Sequence, residues 1–189
     1  KSSNTNGSGE TLYKIGIVQL AEHPALDDAR RGFEDGLKEL GVNAEIDYKN
    51  AQGDIPTTVT ISQKFVKDKV DLIYSIATLS TQAAKKSTEK SNTPVLFTAV
   101  TDPVYSQIVK STDEIENVTG VTDKVEPKEI LKLAKDLKDG AKVIGIIYNT
   151  GESNSEIQID EVKAAADELD MIVETVGITS VNDITQAMN

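Results

Sequence analysis

One strand–loop–helix unit is written twice in this chain, and that duplication constrains the fold more than any other feature. Residues 13–41, YKIGIVQLAEHPALDDARRGFEDGLKELG, lie 129 positions ahead of residues 142–170, KVIGIIYNTGESNSEIQIDEVKAAADELD, and the two align without a gap. Lys14-Ile15-Gly16-Ile17-Val18 falls on Val143-Ile144-Gly145-Ile146-Ile147 and Leu40 on Leu169; beyond the unit, Glu45 falls on Glu174 and Asp54-Ile55 on Asp183-Ile184. Solenoids repeat every 20–50 residues or about that. A period this long marks two similar α/β lobes, each opened by the same unit.

Around the two copies, strand and helix patterns alternate. Tyr13–Gln19 is a nearly continuous apolar run, the pattern of a strand covered on both faces in a parallel sheet. Pro24 suits a first helical turn, and Leu26, Ala29, Phe33, Leu37 and Leu40 follow at helical spacing as far as Gly41. The pattern predicts a second strand at 44–48, then a helix capped by Asp54 with Val59, Phe65 and Val66 facing inward. Thr57-Thr58-Val59-Thr60-Ile61 is a weak start for that helix, because β-branched side chains lose rotamer freedom there. A third strand is expected at 70–75, a helix from about Ser80 to Ser91 and a fourth strand at 95–99. This rhythm implies βαβ units and a parallel sheet.

Residues 111–123 break the rhythm, being too short for another βαβ unit, and the crossing between lobes is expected there. An amphipathic helix at 126–137, the second copy of the opening unit from Lys142, a strand at 171–178 and a helix beginning at Val181 complete the reading. The expected fold class is α/β, two Rossmann-like lobes with parallel sheets. The first lobe is expected over 11–119 and a partial second lobe over 120–189, preceded by a flexible tether, KSSNTNGSGE, over 1–10. The second lobe has about two strands, fewer than an independently stable sheet usually needs.

Asp and Glu number 31 against 20 Lys and Arg, a net charge of −11 that opposes nucleic-acid binding and adhesion to anionic membranes. No apolar run reaches the roughly 18 residues of a membrane-spanning helix. With no Cys and a single His, the chain offers no disulfide, no thiol nucleophile, no Cys-based metal site and no Ser–His–Asp arrangement supported by neighbours. Neither a GxxxxGK motif nor GxGxxG is present, so nucleotide chemistry has no sequence support. No catalytic group, metal or cofactor is expected.

In open parallel sheets, ligands bind beyond the carboxyl ends of strands, where loops meet helix N-termini. The polar loops at those ends are 19–27, 76–81, 99–103 and 148–155. Thr78, Ser80 and Thr81 set three hydroxyls beside backbone N–H groups at a helix start, a place suited to a carboxylate or phosphate, although plain N-capping fits the same residues. Asp102 and Glu152 could hold an ammonium group or, equally, cap a turn or a helix. His23, before Pro24, reads either as a loop residue or as a base.

Five segments in order, KIGIVQLAEHPALDDARRGFEDGLKELG, SIATLSTQAA, PVLFTAVTDPV, NVTGVTD and IGIIYNTGESNS, resemble the extracytoplasmic substrate-binding proteins of ABC transporters, and within them the group associated with tryptophan, tyrosine or phenylalanine uptake. The resemblance covers residues 11–189. It implies the type I periplasmic-binding-protein fold, capture of a small amino acid, here an aromatic one, in a cleft between lobes, and an ABC permease as partner. It also implies an extracytoplasmic location with membrane attachment through an N-terminal lipid anchor.

More distant receptors for branched-chain amino acids carry a hydroxyl residue just before Ser-Thr-Gln and, later, Ala-x-Thr before an acid or amide and Pro. In that pattern the hydroxyls and nearby N–H groups hold the ligand α-carboxylate. The matching residues are Thr78, ahead of Ser80-Thr81-Gln82, and Thr101, in Ala99-Val100-Thr101-Asp102-Pro103. The same resemblance implies that Gln19 and His23, facing Asn149, Glu152, Ser153 and Asn154, enclose the side chain and ammonium group. Family members continue beyond the position matched by Asn189, so the second lobe is expected to be incomplete and closure on the ligand compromised.

Two other classes share the architecture. An effector-sensing domain of a transcription regulator calls for a basic helix-turn-helix ahead of Tyr13, where this sequence has the Ser/Asn/Gly tether. An α/β enzyme calls for a nucleophile or metal constellation that these residues do not supply.

Overall fold

The computed structural model describes residues 11–113 and 116–188, and the tether expected over 1–10 lies outside them. The chain divides into two compact units, Lys1–Asp123 and Lys124–Asn189.

The first unit runs β1 (Tyr13–Gln19), α1 (Pro24–Glu39), β2 (Ala44–Asn50), α2 (Ile55–Lys67), β3 (Leu72–Ile76), α3 (Thr78–Thr88), β4 (Val95–Val100) and β5 (Val118–Thr122). The five strands form one sheet in the order β2-β1-β3-β4-β5, every neighbouring pair parallel. Side chains alternate across a strand, so the nearly continuous apolar run of β1 serves two cores. Ile15 and Ile17 join Tyr74, Ile76 and the α1 residues Leu26, Phe33 and Leu37 on one face. Val18 joins Ile73, Val95, Phe97 and Val118 with Ile61 and Phe65 of α2 and Ala84 of α3 on the other.

Helix α2 forms despite its weak propensity. Asp54 caps it, its carboxylate accepting the Thr57 N–H at 2.8 Å. The inward stripe is Thr58, Ile61, Ser62 and Phe65, not the expected Val59, which is only partly buried, while Val66 packs at the edge of the core. The two buried hydroxyls are satisfied within the helix: Thr58 donates to the Ile55 carbonyl at 2.6 Å and Ser62 to the Thr58 carbonyl at 2.8 Å. Tertiary burial of Phe65 and Ile61 outweighs the few tenths of a kcal/mol per residue, roughly, that separate these side chains in helix propensity.

The segment expected to cross between lobes contains a strand. β5 pairs with β4, Val95 with Val118 and Phe97 with Gly120, so the expected division between 119 and 120 falls inside a strand, and the first unit extends to Asp123. The crossover from β4 to β5 holds no helix among the described residues. Ile108, 1% exposed, and Val109 take the place a helix would fill against the sheet.

The second unit runs α4 (Pro127–Leu137), β6 (Val143–Asn149), α5 (Ser153–Glu168) and β7 (Ile172–Ile178), followed by a 3-10 turn (Val181–Asp183) and a short α6 (Ile184–Ala187). β6 and β7 are parallel. Leu131 of α4, Ala166 of α5 and Met171 form its core with Ile144, Val162, Leu169 and Val173 around them. Lys124, ahead of α4, pairs with Glu161 of α5, and Lys128 of α4 pairs with Glu168 of α5.

The duplication is visible in the geometry. α1 and α5 coincide to the residue under the shift of 129, Pro24 with Ser153 and Glu39 with Glu168. Both helices end in the same motif: the Val42 N–H donates to the Leu37 carbonyl and the Met171 N–H to the Ala166 carbonyl, each at 2.9 Å. Gly41 (φ +65°) and Asp170 (φ 53°) supply the left-handed residue that this ending needs. The strand pairing differs, because Lys14 pairs with Glu45 whereas Val143 pairs with Ile172, two residues short of Glu174. A slip of two residues keeps every side chain on its own face, which a slip of one would not.

Candidate functional site

The winding of the first unit reverses at β1, with β2 on one side and β3 on the other. Doubly wound sheets hold ligands beyond the strand ends at such a reversal. Here the ends are Gln19 and Ile76, paired in register. Residues 20–23 lead from this point into α1, and Ala77 leads into α3.

Ala77 has φ 81° and ψ 157°, a region that residues other than glycine enter at a cost of about 1–3 kcal/mol. Its N–H donates to the Thr98 carbonyl of β4 at 3.0 Å, which helps to hold the conformation. The turn starts α3 at Thr78, two residues before the expected Ser80, so Thr78, Ser80 and Thr81 all lie in its first turn. The Thr81 N–H makes the first helical bond, to the Ala77 carbonyl at 3.1 Å. The N–H groups of Thr78, Leu79 and Ser80 precede that bond, and no side chain caps them among the described residues.

The three hydroxyls have different fates. Thr81 Oγ1 donates to the Ala77 carbonyl at 2.9 Å and so accepts from Ser75 Oγ, also at 2.9 Å. Ser80 is 0% exposed, and its Oγ has no hydrogen-bond partner among the described residues. Thr78 is buried, as is Thr101 beyond the end of the adjacent strand β4. Ala99, just before that end, is a second alanine with positive φ, 54°, where the β4–β5 register shifts.

Gln19, also 0% exposed, donates its Nε2 to the Ala21 carbonyl and to Asp27 Oδ1, both at 2.8 Å, while its Oε1 is buried without a partner among the described residues. It therefore ties the loop after β1 and the first turn of α1 to the strand end. His23 is the N-cap of α1, its Nδ1 accepting the Ala25 N–H at 3.2 Å. Asp102 fills a turn role, its Oδ1 accepting the N–H groups of Val104 at 3.0 Å and Tyr105 at 2.8 Å.

In the second unit, Glu152 stands at the N-cap of α5 without capping it. Its Oε1 accepts from Asn149 Nδ2 at 3.0 Å and its Oε2 from Asn154 Nδ2 at 3.4 Å. Asn149 Oδ1 accepts the Gly151 N–H at 2.9 Å, and Ser153 Oγ is buried without a partner among the described residues. These four side chains thus form a polar cluster at the carboxyl end of β6. No group of three or more His, Asp or Glu that could hold a metal ion occurs among the described residues.

The family model described as ABC transporter substrate binding protein matches residues 14–189. The chain belongs to that family. Among ABC-transporter substrate-binding proteins and their relatives, the tyrosine-binding protein of Clostridioides difficile (strain R20291) is 45% identical over 193 aligned positions, covering 100% of this chain and 55% of the relative. The crystal structure of the ABC domain in complex with L-Trp from Streptococcus pneumonia is 35% identical with a TM-score of 0.89, covering 94% of this chain and 61% of that one. A leucine-binding protein from Thermotoga maritima, 17% identical with a TM-score of 0.70 over 93% of this chain and 53% of its own, shares the fold alone. That fold is the type I periplasmic-binding-protein fold. The chain spans little more than half the length of these relatives.

Sequence reasoning passes over the positive φ of Ala77 and Ala99 and the Gln19–Asp27 bond. Alanine carries no mark of a left-handed backbone, and a bond between side chains eight residues apart follows only once the loop between them is folded.

Proposed function

We propose that the intact protein is the solute-binding component of an ABC importer, and that the first turn of α3 receives the carboxylate of an amino acid, an aromatic one. The observation that carries this reading is the N-terminus of α3, uncapped among the described residues, with the buried Ser80 hydroxyl, which has no partner among them, in its first turn. A carboxylate there accepts the free N–H groups and lies at the positive end of the helix dipole. Thr78 and Thr101 add hydroxyl donors, and a buried polar group left without a partner is otherwise a standing cost.

The aromatic preference draws on the 45% identity to a tyrosine-binding protein and the likeness to an L-Trp complex. We assign recognition of the ammonium group to the second-unit cluster of Asn149, Glu152, Ser153 and Asn154, with Glu152 as its charged member. Gln19 and His23 act on the same ligand through the loop they hold. An ABC permease as partner, an extracytoplasmic location, an N-terminal lipid anchor and the absence of catalysis belong to the same proposal and rest on the family. An effector-sensing role in a transcription regulator is not favoured, since the family matched is one of transport.

Calorimetric titration of the intact protein with L-Tyr, L-Trp and L-Phe, and with their carboxamides, tests this. The free acids are expected to bind and the carboxamides to bind at least about tenfold more weakly, because they lack the charged acceptor. Equal binding of acid and amide would move the carboxylate away from α3.

A further inference from the structure

We infer that Tyr105 determines the aromatic preference of the first unit by offering its ring to the ligand side chain, an inference that rests on the carboxylate reading of α3. The chain has five Tyr, three Phe and no Trp, and all but one of the first unit's aromatic rings are engaged or misplaced for this purpose. Phe33 and Tyr74 stack on each other with centroids 3.9 Å apart. Phe65 and Phe97 are core residues, and Tyr48 lies under the Arg30 guanidinium at 4.6 Å. Tyr13 opens β1, at the end of the sheet opposite the strand ends that carry the site.

Tyr105 follows β4, on the site side of the sheet, and is 44% exposed; Val104 beside it is 42% exposed. Its ring makes no stacking or cation contact among the described residues. The turn that carries it is fixed at several points. Asp102 Oδ1 accepts the Val104 and Tyr105 N–H groups, and the Ile108 N–H donates to the Pro103 carbonyl at 2.8 Å. α3 holds the far side, Gln82 Nε2 donating to the Ser106 carbonyl at 2.9 Å and Lys85 Nζ to the Gln107 carbonyl at 2.5 Å. Ile108 is anchored in the core. Tyr105, one residue before Ser106, stands in this turn beyond the carboxyl end of β4, the same end of the sheet at which α3 begins. A fixed turn that exposes an aromatic and an aliphatic side chain at the same end of the sheet as the proposed carboxylate site suits a ligand with a carboxylate and a ring.

The experiment is calorimetric titration of the intact protein and its Tyr105→Ala, Tyr105→Phe and Thr78→Val variants with L-Trp and L-Leu, with melting curves of each ligand-free protein. Tyr105→Ala is expected to weaken L-Trp about tenfold and L-Leu by less than about twofold, with Tyr105→Phe restoring L-Trp binding, as loss of a ring–ring contact and its buried area predicts. Thr78→Val is expected to weaken both ligands, and the ligand-free melting point of Tyr105→Ala to stay unchanged. If Tyr105→Ala leaves L-Trp binding intact while Thr78→Val weakens it, the ring platform is overturned and the carboxylate site stands. Equal losses of L-Trp and L-Leu in Tyr105→Ala would also overturn it, as a structural effect. If the wild type binds neither ligand, or Thr78→Val alters neither, the carboxylate reading and this inference fall together.

Discussion

Gly16 lies against the ring of Phe65 so closely that a methyl group added to Gly16 would stand 2.6 Å from it. Phe65 is wholly buried between α2 and the sheet and cannot retreat, so only glycine lets α2 settle on β1. The repeat places Gly145 at the same point of the second unit, where an added methyl meets nothing within 4 Å. Gly16→Ala is therefore expected to destabilise the first unit by about 1–3 kcal/mol through overpacking. Gly145→Ala is expected to be neutral or slightly stabilising, since glycine weakens a strand interior. Hydrogen-exchange protection of β1 and β6 in the two variants separates the effects unit by unit.

The Gln19–Asp27 bond makes a second prediction, about the loop after β1. Asp27→Ala leaves one Gln19 N–H without its partner in a buried place and is expected to cost about 1–2 kcal/mol. Gln19→Met removes the donors together with the unpaired Oε1, so it is expected to cost less than Asp27→Ala plus the lost tie to Ala21 would suggest. The double variant should fall short of the sum of the singles, because both remove the same bond. Urea midpoints of the four proteins close the cycle, and strict additivity would deny that the bond matters in solution.

Tyr74 gives the fold a sensitivity to alkali. Burial pushes its phenol above the ordinary tyrosine value near 10, against a smaller opposing effect of Thr98. A group whose pKa is raised by folding contributes stability that is complete below its unfolded pKa and is lost as pH rises through the folded value. Wild type minus Tyr74→Phe stability is therefore expected to be flat from neutral pH to about 10 and to fall above it. Thermal unfolding of both proteins across that range measures the difference, and a flat difference throughout would mean that the phenolate is tolerated.

The parts of the fold legible in the sequence are those in which one kind of letter does one job. β1, α1, β6 and α5 follow from apolar periodicity and from the duplication itself. α2 is harder, because Thr58 and Ser62 are polar letters on a buried stripe, satisfied by the helix's own carbonyls, while Val59 is an apolar letter off it. β5 is hidden for a different reason: its crossover replaces a helix with a turn anchored by Ile108, and Gly120 sits in the strand because an added methyl would meet the Phe97 carbonyl at 2.1 Å. At the site, the hydroxyls of Thr78, Ser80, Thr81 and Thr101 are visible as letters. Their division into satisfied Thr81 and unsatisfied Ser80 depends on Ala77, whose backbone conformation no alanine announces.

Ser80 sets stability against binding. Its hydroxyl is buried with no partner among the described residues, and serine is a poorer helix former than alanine, so the residue weakens the ligand-free protein on both counts. Ser80→Ala is accordingly expected to stabilise the ligand-free protein by about 1 kcal/mol, from the removal of an unsatisfied hydroxyl and the gain in helix propensity. If the hydroxyl is there for a carboxylate, the same substitution is expected to weaken amino-acid binding by about 1–2 kcal/mol, through loss of a hydrogen bond to a charged group. Thr81→Ala reverses the pattern: its hydroxyl already bonds Ala77 and Ser75, so its loss lowers stability. Ligand-free melting points and calorimetric affinities, measured side by side for the two variants, decide the matter. A Ser80→Ala protein that is less stable than wild type would mean that the hydroxyl is satisfied in solution without a ligand, and one that binds as well would mean that the carboxylate does not use it.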